Sequence, residues 1–159
     1  MAALAYLAAW DVHRAKLFGR LEPTTGIVPF DLLVHQVMAE EPYRSARRVF
    51  WVLDNGSSHR GAASVQRLQQ AHHNLVPVHL PIHASWLNQV EIYFSILQRK
   101  VLTPPEAESL TDLAATILGF QASYEHLARP FEWKFTRVDL AKLLARLAAN
   151  GHANLLEAA

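Results

Sequence analysis

The chain has 159 residues, 51% of them hydrophobic, and a net charge of +1. That is most economically one domain with a real core, and the bulk charge alone does not mark a nucleic-acid binder, so any DNA contact must come from local clusters. The absence of cysteine excludes disulfides and thiolate metal sites and suits a reducing cytoplasm. The apolar opening MAALAYLAAW has no basic leader and stops at Asp11, too short to span a membrane, so it reads as a buried strand.

Leu4 to Trp10 and Lys16 to Leu21 are short apolar runs joined by a polar turn, the pattern of a hairpin. Pro23 to Gly26 is a turn. Phe30, Leu33, Val34 and Val37 fall at helical spacing within 29–40, with Pro29 acceptable in the first turn and Pro42 beyond the end. Val49 to Leu53 is a continuous apolar run, which predicts a strand covered on both faces. A helix is expected near 59–71, with His59 at its start. Leu75 to Leu80 is the next strand, and Pro77 makes it an edge strand because proline cannot donate to a ladder.

Three helices are expected to follow. Leu87, Val90, Phe94, Leu97 and Val101 form the first stripe, with Ser85 placed to cap it. Leu110, Leu113, Ile117, Phe120, Tyr124 and Leu127 form the second, opened by Ser109 and Asp112 in a capping pattern. Leu140, Leu143, Leu144 and Leu147 form the third, after a Thr136–Asp139 cap. The tail 151–159 is expected to fray. This order predicts a mixed α/β domain whose ligands bind beyond the carboxyl ends of its central strands.

Asp54 sits at such an end. A charged residue directly after five apolar strand residues is either an Asx-type turn former in Asp-Asn-Gly or a ligand. Asn88, Glu91, Ser95 and Gln98 share one face of the expected helix, opposite its apolar stripe. That face is either solvated or, since Trp86 and Leu87 would bury the helix start, turned toward the sheet edge. His59 is either a surface residue or one that orients a phosphate or a water. The other histidines lack convincing metal spacing; Pro81 keeps His79 and His83 off a shared helix face. Arg44, Arg47 and Arg48, then Arg60, then Arg99 and Lys100, then Arg129, Lys134 and Arg137, form local basic groups. Each is a solvated cluster or a set of phosphate contacts.

LDNGSSHRG, then LPIHASWLNQVEIYFSILQRKVL, then SYEHLARPFEWKF resemble the catalytic domain of DDE transposases, and more narrowly the bacterial insertion-sequence branch of the mariner superfamily. The resemblance spans about Leu4 to Leu144, and the P-x-x-A-S-W-L-N-x-V-E signature is its most specific part. It implies an RNase H-like mixed sheet flanked by helices and a two-metal Mg²⁺ or Mn²⁺ site. It also implies DNA cleavage and strand transfer at transposon ends. Asp54 resembles the family's second catalytic aspartate and Glu91 its third acidic residue, with 36 residues between them. Asn88 resembles a motif asparagine, and Asn55 and His59 support the site. Arg60, Arg99, Lys100, Arg129 and Lys134 are the expected DNA contacts.

The family's first aspartate has no counterpart here. Asp11 falls at a strand end in a hairpin turn, with too few elements before Asp54 to take its place. Residues 1–150 are therefore expected to be a catalytic core that lacks the family's first strand and is truncated at its N-terminus. The unpaired edges invite either contact between the Leu4–Trp10 and Val49–Leu53 strands or a homodimer or higher assembly. The expected partner is DNA, with no membrane, in the bacterial cytoplasm near the nucleoid. The chain alone is expected to be inactive. The competing reading is a non-catalytic remnant that binds DNA backbone or joins subunits. A cousin acting on RNA–DNA hybrids or Holliday junctions is opposed by SWLNQVE and ARPFEW.

Overall fold

The structure, a computed structural model, describes residues 4–81, 88–103, 109–132, 136–139, 141–142 and 145. The expected hairpin is there. Strand β1 (Ala5–Asp11) pairs antiparallel with β2 (Lys16–Glu22), with Trp10 opposite Leu17. Its turn is held by Asp11, whose Oδ1 accepts from the backbone amides of His13 at 2.8 Å and Arg14 at 3.1 Å. Helix α1 (Ile27–Met38) follows with Pro29 in its first turn, where a missing N–H costs nothing. It buries Phe30, Leu33, Val34, Val37 and Met38 on one stripe.

Strand β3 (Val49–Leu53), helix α2 (Ala62–Ala71) and strand β4 (Leu75–His79) form a crossover unit, and β3 pairs in parallel with β4. Pro77 lies opposite Trp51, on a strand with a single partner, as the edge assignment requires. Buried Asn74 anchors this unit by donating to the carbonyls of Tyr43 at 2.9 Å and Ala46 at 2.8 Å. Helix α3 (Val90–Val101) and helix α4 (Leu110–Leu127) come last. The Ser109 cap forms as expected: its Oγ accepts from the Asp112 amide at 3.1 Å and donates to Asp112 Oδ2 at 2.6 Å. Thr136 and Asp139 make the same reciprocal pair. Leu140, Leu143, Leu144 and Leu147, and the 151–159 tail, lie outside the described residues.

Two apolar clusters hold the elements together. One joins α1 to both strand pairs through Phe18, Phe30, Leu33, Val34, Trp51, Leu53, Leu68 and Leu75. The other joins the opposite face of the hairpin to α3 and α4 through Leu17, Tyr93, Leu97 and Ile117. Tyr93 is fully buried, with Tyr6 and Phe120 against its ring. β1 is thus covered on both faces, by way of Leu7 and Ala9 on one side and Tyr6, Ala8 and Trp10 on the other. Every residue of β1 is nonetheless only half-buried. Among the described residues its outer edge has no strand partner, because β1–β2 and β3–β4 are separate two-stranded sheets.

Several expectations are corrected here. Of the two alternatives for the unpaired edges, a ladder between β1 and β3 is not formed among the described residues, where packing on α1 relates the two sheets. β3 is covered on one face only: Trp51 and Leu53 are buried, while Phe50 is 62% and Val52 45% exposed. A continuous apolar run does not reveal whether both faces have partners. α3 begins at Val90, with Gln89 at its N-cap, so Asn88 precedes the helix rather than sharing its face. Ser85, Trp86 and Leu87 lie outside the described residues. His59 sits in the turn before α2, not at its start, because the helix opens after Gly61 (φ 86°). On α4 the middle of the stripe packs, but Leu110 and Leu127 at its ends are exposed.

Candidate active site

Asp54 leaves the carboxyl end of β3 directly. The ends of β3 and β4 are tied together there: the Leu80 amide donates to the Leu53 carbonyl at 2.8 Å, and Asn55 Nδ2 donates to the Leu80 carbonyl at 2.9 Å. Ligands of parallel sheets bind beyond the carboxyl ends of the strands. Asp54 keeps 42% of its side chain exposed. Its Oδ1 accepts from the Gly56 amide at 3.0 Å, so the Asx turn expected of Asp-Asn-Gly does form. The same Oδ1 meets His59 Nε2 at 2.5 Å. The turn and the exposed carboxylate are therefore features of one residue.

Glu91 occupies the first turn of α3, where its amide donates to the Asn88 carbonyl at 3.0 Å. Asn88 Oδ1 in turn lies 3.4 Å from the Val90 amide, a long contact at the start of the helix. Burial, and next the charge of Asp54, push the Glu91 carboxyl above the usual glutamate range. The second cause brings the two acidic groups together: a strand end and a helix start that are far apart in sequence share one patch of field. Among the described residues Glu91 has no ion-pair partner.

Asp11 is committed elsewhere. Burial opposes its charge, but the Tyr43 hydroxyl at 2.6 Å and the two turn amides hold its carboxyl below the usual aspartate range. Arg60, Arg99, Lys100 and Arg129 are exposed. Arg99 Nε donates to the Ser95 carbonyl on its own helix, and Arg44 pairs with Glu41. Lys134 lies outside the described residues.

Gly56, Ser58, Arg67 and His79 join the site without having been singled out for it. Ser58 Oγ lies 3.0 Å from His59 Nδ1, and Arg67 bridges the Ser58 carbonyl at 2.7 Å and Asp31 at 2.9 Å. His79 Nε2 donates to the His59 carbonyl at 2.7 Å. The sequence signal for these contacts was a histidine five residues after Asp54 in a loop of small residues.

Asp54 and Glu91 are hard oxygen donors that repel one another, and a hard divalent cation between them would relieve that repulsion. By donor chemistry, two carboxylates suit such an ion. Among the described residues no group of three His, Cys, Asp or Glu is placed to hold a metal. A mixed α/β arrangement of small sheets flanked by helices, with an acidic pair at a carboxyl edge, is consistent with an RNase H-like domain. Residues 3–114 match the family described as DDE superfamily endonuclease, well over half of the chain, and the chain belongs to that family. Asp54 and Glu91 both fall inside the matched span; Arg129 and Lys134 fall beyond it. No curated protein and no solved structure matches the chain.

Proposed function

We propose that this domain belongs to a transposase of the bacterial insertion-sequence branch of the mariner superfamily, and that Asp54 and Glu91 are its cation-binding carboxylates. The observation that carries this reading is the family match over residues 3–114, with Asp54 exposed at the end of β3 and Glu91 in the first turn of α3, both inside the matched span. The substrate is DNA at transposon ends, and the reaction is phosphodiester cleavage followed by strand transfer. A bound Mg²⁺ or Mn²⁺ supplies Lewis acidity toward the phosphodiester. The chain's own groups do the rest. Asp54 offers the carboxylate oxygen left over from its turn, Glu91 offers a second carboxylate, and Asn55 keeps the two strand ends at a fixed spacing beneath them. Exposed Arg60, Arg99, Lys100 and Arg129 are suited to phosphate oxygens, and Lys134 is assigned with them from the sequence. A DNA substrate places the protein in the cytoplasm at the nucleoid; no described helix is long and apolar enough to cross a membrane.

A clamp of two metals needs more carboxylates than this pair, and no group of three metal-ligating side chains is found among the described residues, so the chain by itself is expected to cleave DNA slowly at best. The edges of β1 and β3, unpaired among the described residues, with the apolar face of β3, favour association with a further strand or a second copy. The decisive experiment is Mn²⁺ titration of the purified chain with a supercoiled-plasmid nicking assay in parallel. Saturable Mn²⁺ binding, lost in Asp54→Asn and weakened in Glu91→Gln, is expected, together with weak nicking. Binding unchanged in both variants refutes the assignment of the site. Vigorous nicking that Asp54→Ala abolishes refutes the claim that the pair is insufficient.

A further inference from the structure

We propose that His59 is a positioning residue for Asp54: it holds one carboxylate oxygen in place so that the other is the one offered to a cation. The inference rests on the reading of Asp54 as a cation ligand.

The His59 side chain is only 12% exposed. Its ring lies against Phe30 of α1, with centroids 4.6 Å apart. A carboxylate can only accept, so the proton between them sits on Nε2, which donates to Asp54 Oδ1. In the neutral ring Nδ1 is then the acceptor, and the Ser58 hydroxyl donates to it. Both ring nitrogens are occupied. The imidazole is therefore not free to ligate a metal or to orient a phosphate or a water, the role its position in the loop suggested.

The backbone that carries the ring is fixed at two carbonyls. His79 at the end of β4 donates to the His59 carbonyl. Arg67 of α2 donates to the Ser58 carbonyl and is itself braced by Asp31 of α1. The result is a contact chain that runs from two helices and a strand into one carboxylate oxygen. Oδ1 also takes the Gly56 amide, while Oδ2 accepts no hydrogen bond from the described residues. A side chain with one oxygen held by two donors has lost most of its rotational freedom before a cation arrives, and that is how outer contacts tune a carboxylate ligand.

Gly56 is required by the same packing. A Cβ there would lie 2.7 Å from His59 Cε1 and 3.1 Å from Asp54 Oδ1. An alanine would have to push the ring off the carboxylate.

Mn²⁺ affinity of the purified chain tests this, measured by calorimetry or by the electron-spin resonance of free Mn²⁺. Melting curves confirm that each variant is folded, and ¹⁵N NMR reads the His59 tautomer in the metal-free protein. His59→Ala should weaken binding about tenfold or more, the scale of lost outer-shell contacts. His59→Gln, whose amide N–H can still donate to Oδ1, should recover most of it. Gly56→Ala should behave like His59→Ala although it leaves the imidazole in place. The wild-type ring should carry its neutral-state proton on Nε2. If Asp54→Asn abolishes binding while His59→Ala and Gly56→Ala bind as wild type, the positioning role is overturned and the site stands. If Asp54→Asn binds as wild type, the underlying site reading is what fails. A proton on Nδ1, or a His59→Gln no better than His59→Ala, also overturns the proposal, and both remain readable should His59→Ala fail to fold.

Discussion

Burial, and next the charge of Asp54 at the end of β3, raise the proton affinity of Glu91 at the start of α3, although 36 residues lie between the two acids. The fold therefore holds two like charges together without a described basic partner for Glu91. Such repulsion opposes folding unless something positive is bound, and sites that bind cations are built this way.

Glu91→Gln is expected to stabilise the unliganded chain. The raised carboxyl keeps its proton to higher pH in the folded state than in the unfolded one. Its contribution to stability is thus full below the ordinary glutamate range and is lost as pH rises through the raised value. Removing the charge should add less than about 1 kcal/mol at neutral pH, since the group is largely exposed, and almost nothing in acid. Urea unfolding at acidic and at neutral pH measures the difference. A variant less stable than wild type at neutral pH contradicts it.

Asp11 should show the opposite dependence. Burial disfavours its charge, but the Tyr43 hydroxyl and two amides more than offset that and hold the carboxyl low. Its contribution is present above the ordinary aspartate range and disappears as pH falls through the depressed value. Asp11→Ala should cost about 1 kcal/mol or more at neutral pH, and the gap to wild type should close in strong acid. Parallel denaturation curves decide it.

Gly19 faces the Tyr6 hydroxyl, which donates to Gln121 Oε1 at 2.8 Å and meets the Tyr93 hydroxyl at 3.1 Å. A Cβ at Gly19 would stand 2.5 Å from the Tyr6 oxygen. Gly19→Ala should therefore destabilise by about 1–3 kcal/mol through overpacking. A melting temperature equal to wild type would show that the network yields without cost.

Phe50 and Val52 form an exposed apolar face beside a strand edge that is unpaired among the described residues. The chain should self-associate with rising concentration, and Phe50→Lys with Val52→Lys should return it toward monomer. Sedimentation equilibrium reads this directly. A wild-type chain monomeric at high concentration removes the argument for assembly through this face.

DNA affinity should fall steeply with salt. Replacing Arg99 or Lys100 by alanine should lower the slope of log affinity against log salt by about one each. An unchanged slope assigns those cations to the solvent. The same titration with Arg60→Ala and Arg129→Ala maps which of the exposed cations touch phosphate.

Much of this molecule is legible without coordinates because the signals are local. Two short apolar runs with turn residues between them place β1 and β2, the 3.6-residue stripe of Phe30, Leu33, Val34 and Val37 places α1, and Ser109 with Asp112 opens α4. Pro77 marks the edge strand because a residue without an N–H cannot sit between two neighbours. Asp54 and Glu91 stand out through their positions at element ends and through the motif around them. Tertiary structure alone decides which faces acquire partners. Phe50 and Val52 lie in the same apolar run as Trp51 and Leu53, yet only the latter two meet α1 and α2. The separation of the sheets, the half-burial of β1 and the coupling of Glu91 to Asp54 depend on chain segments packing across long sequence distances, which no local pattern encodes. The lock on His59 is of the same kind: its two ring contacts lie within its own loop, but Phe30, Arg67 and His79 reach it from three other elements, and only their convergence gives the imidazole one fixed direction.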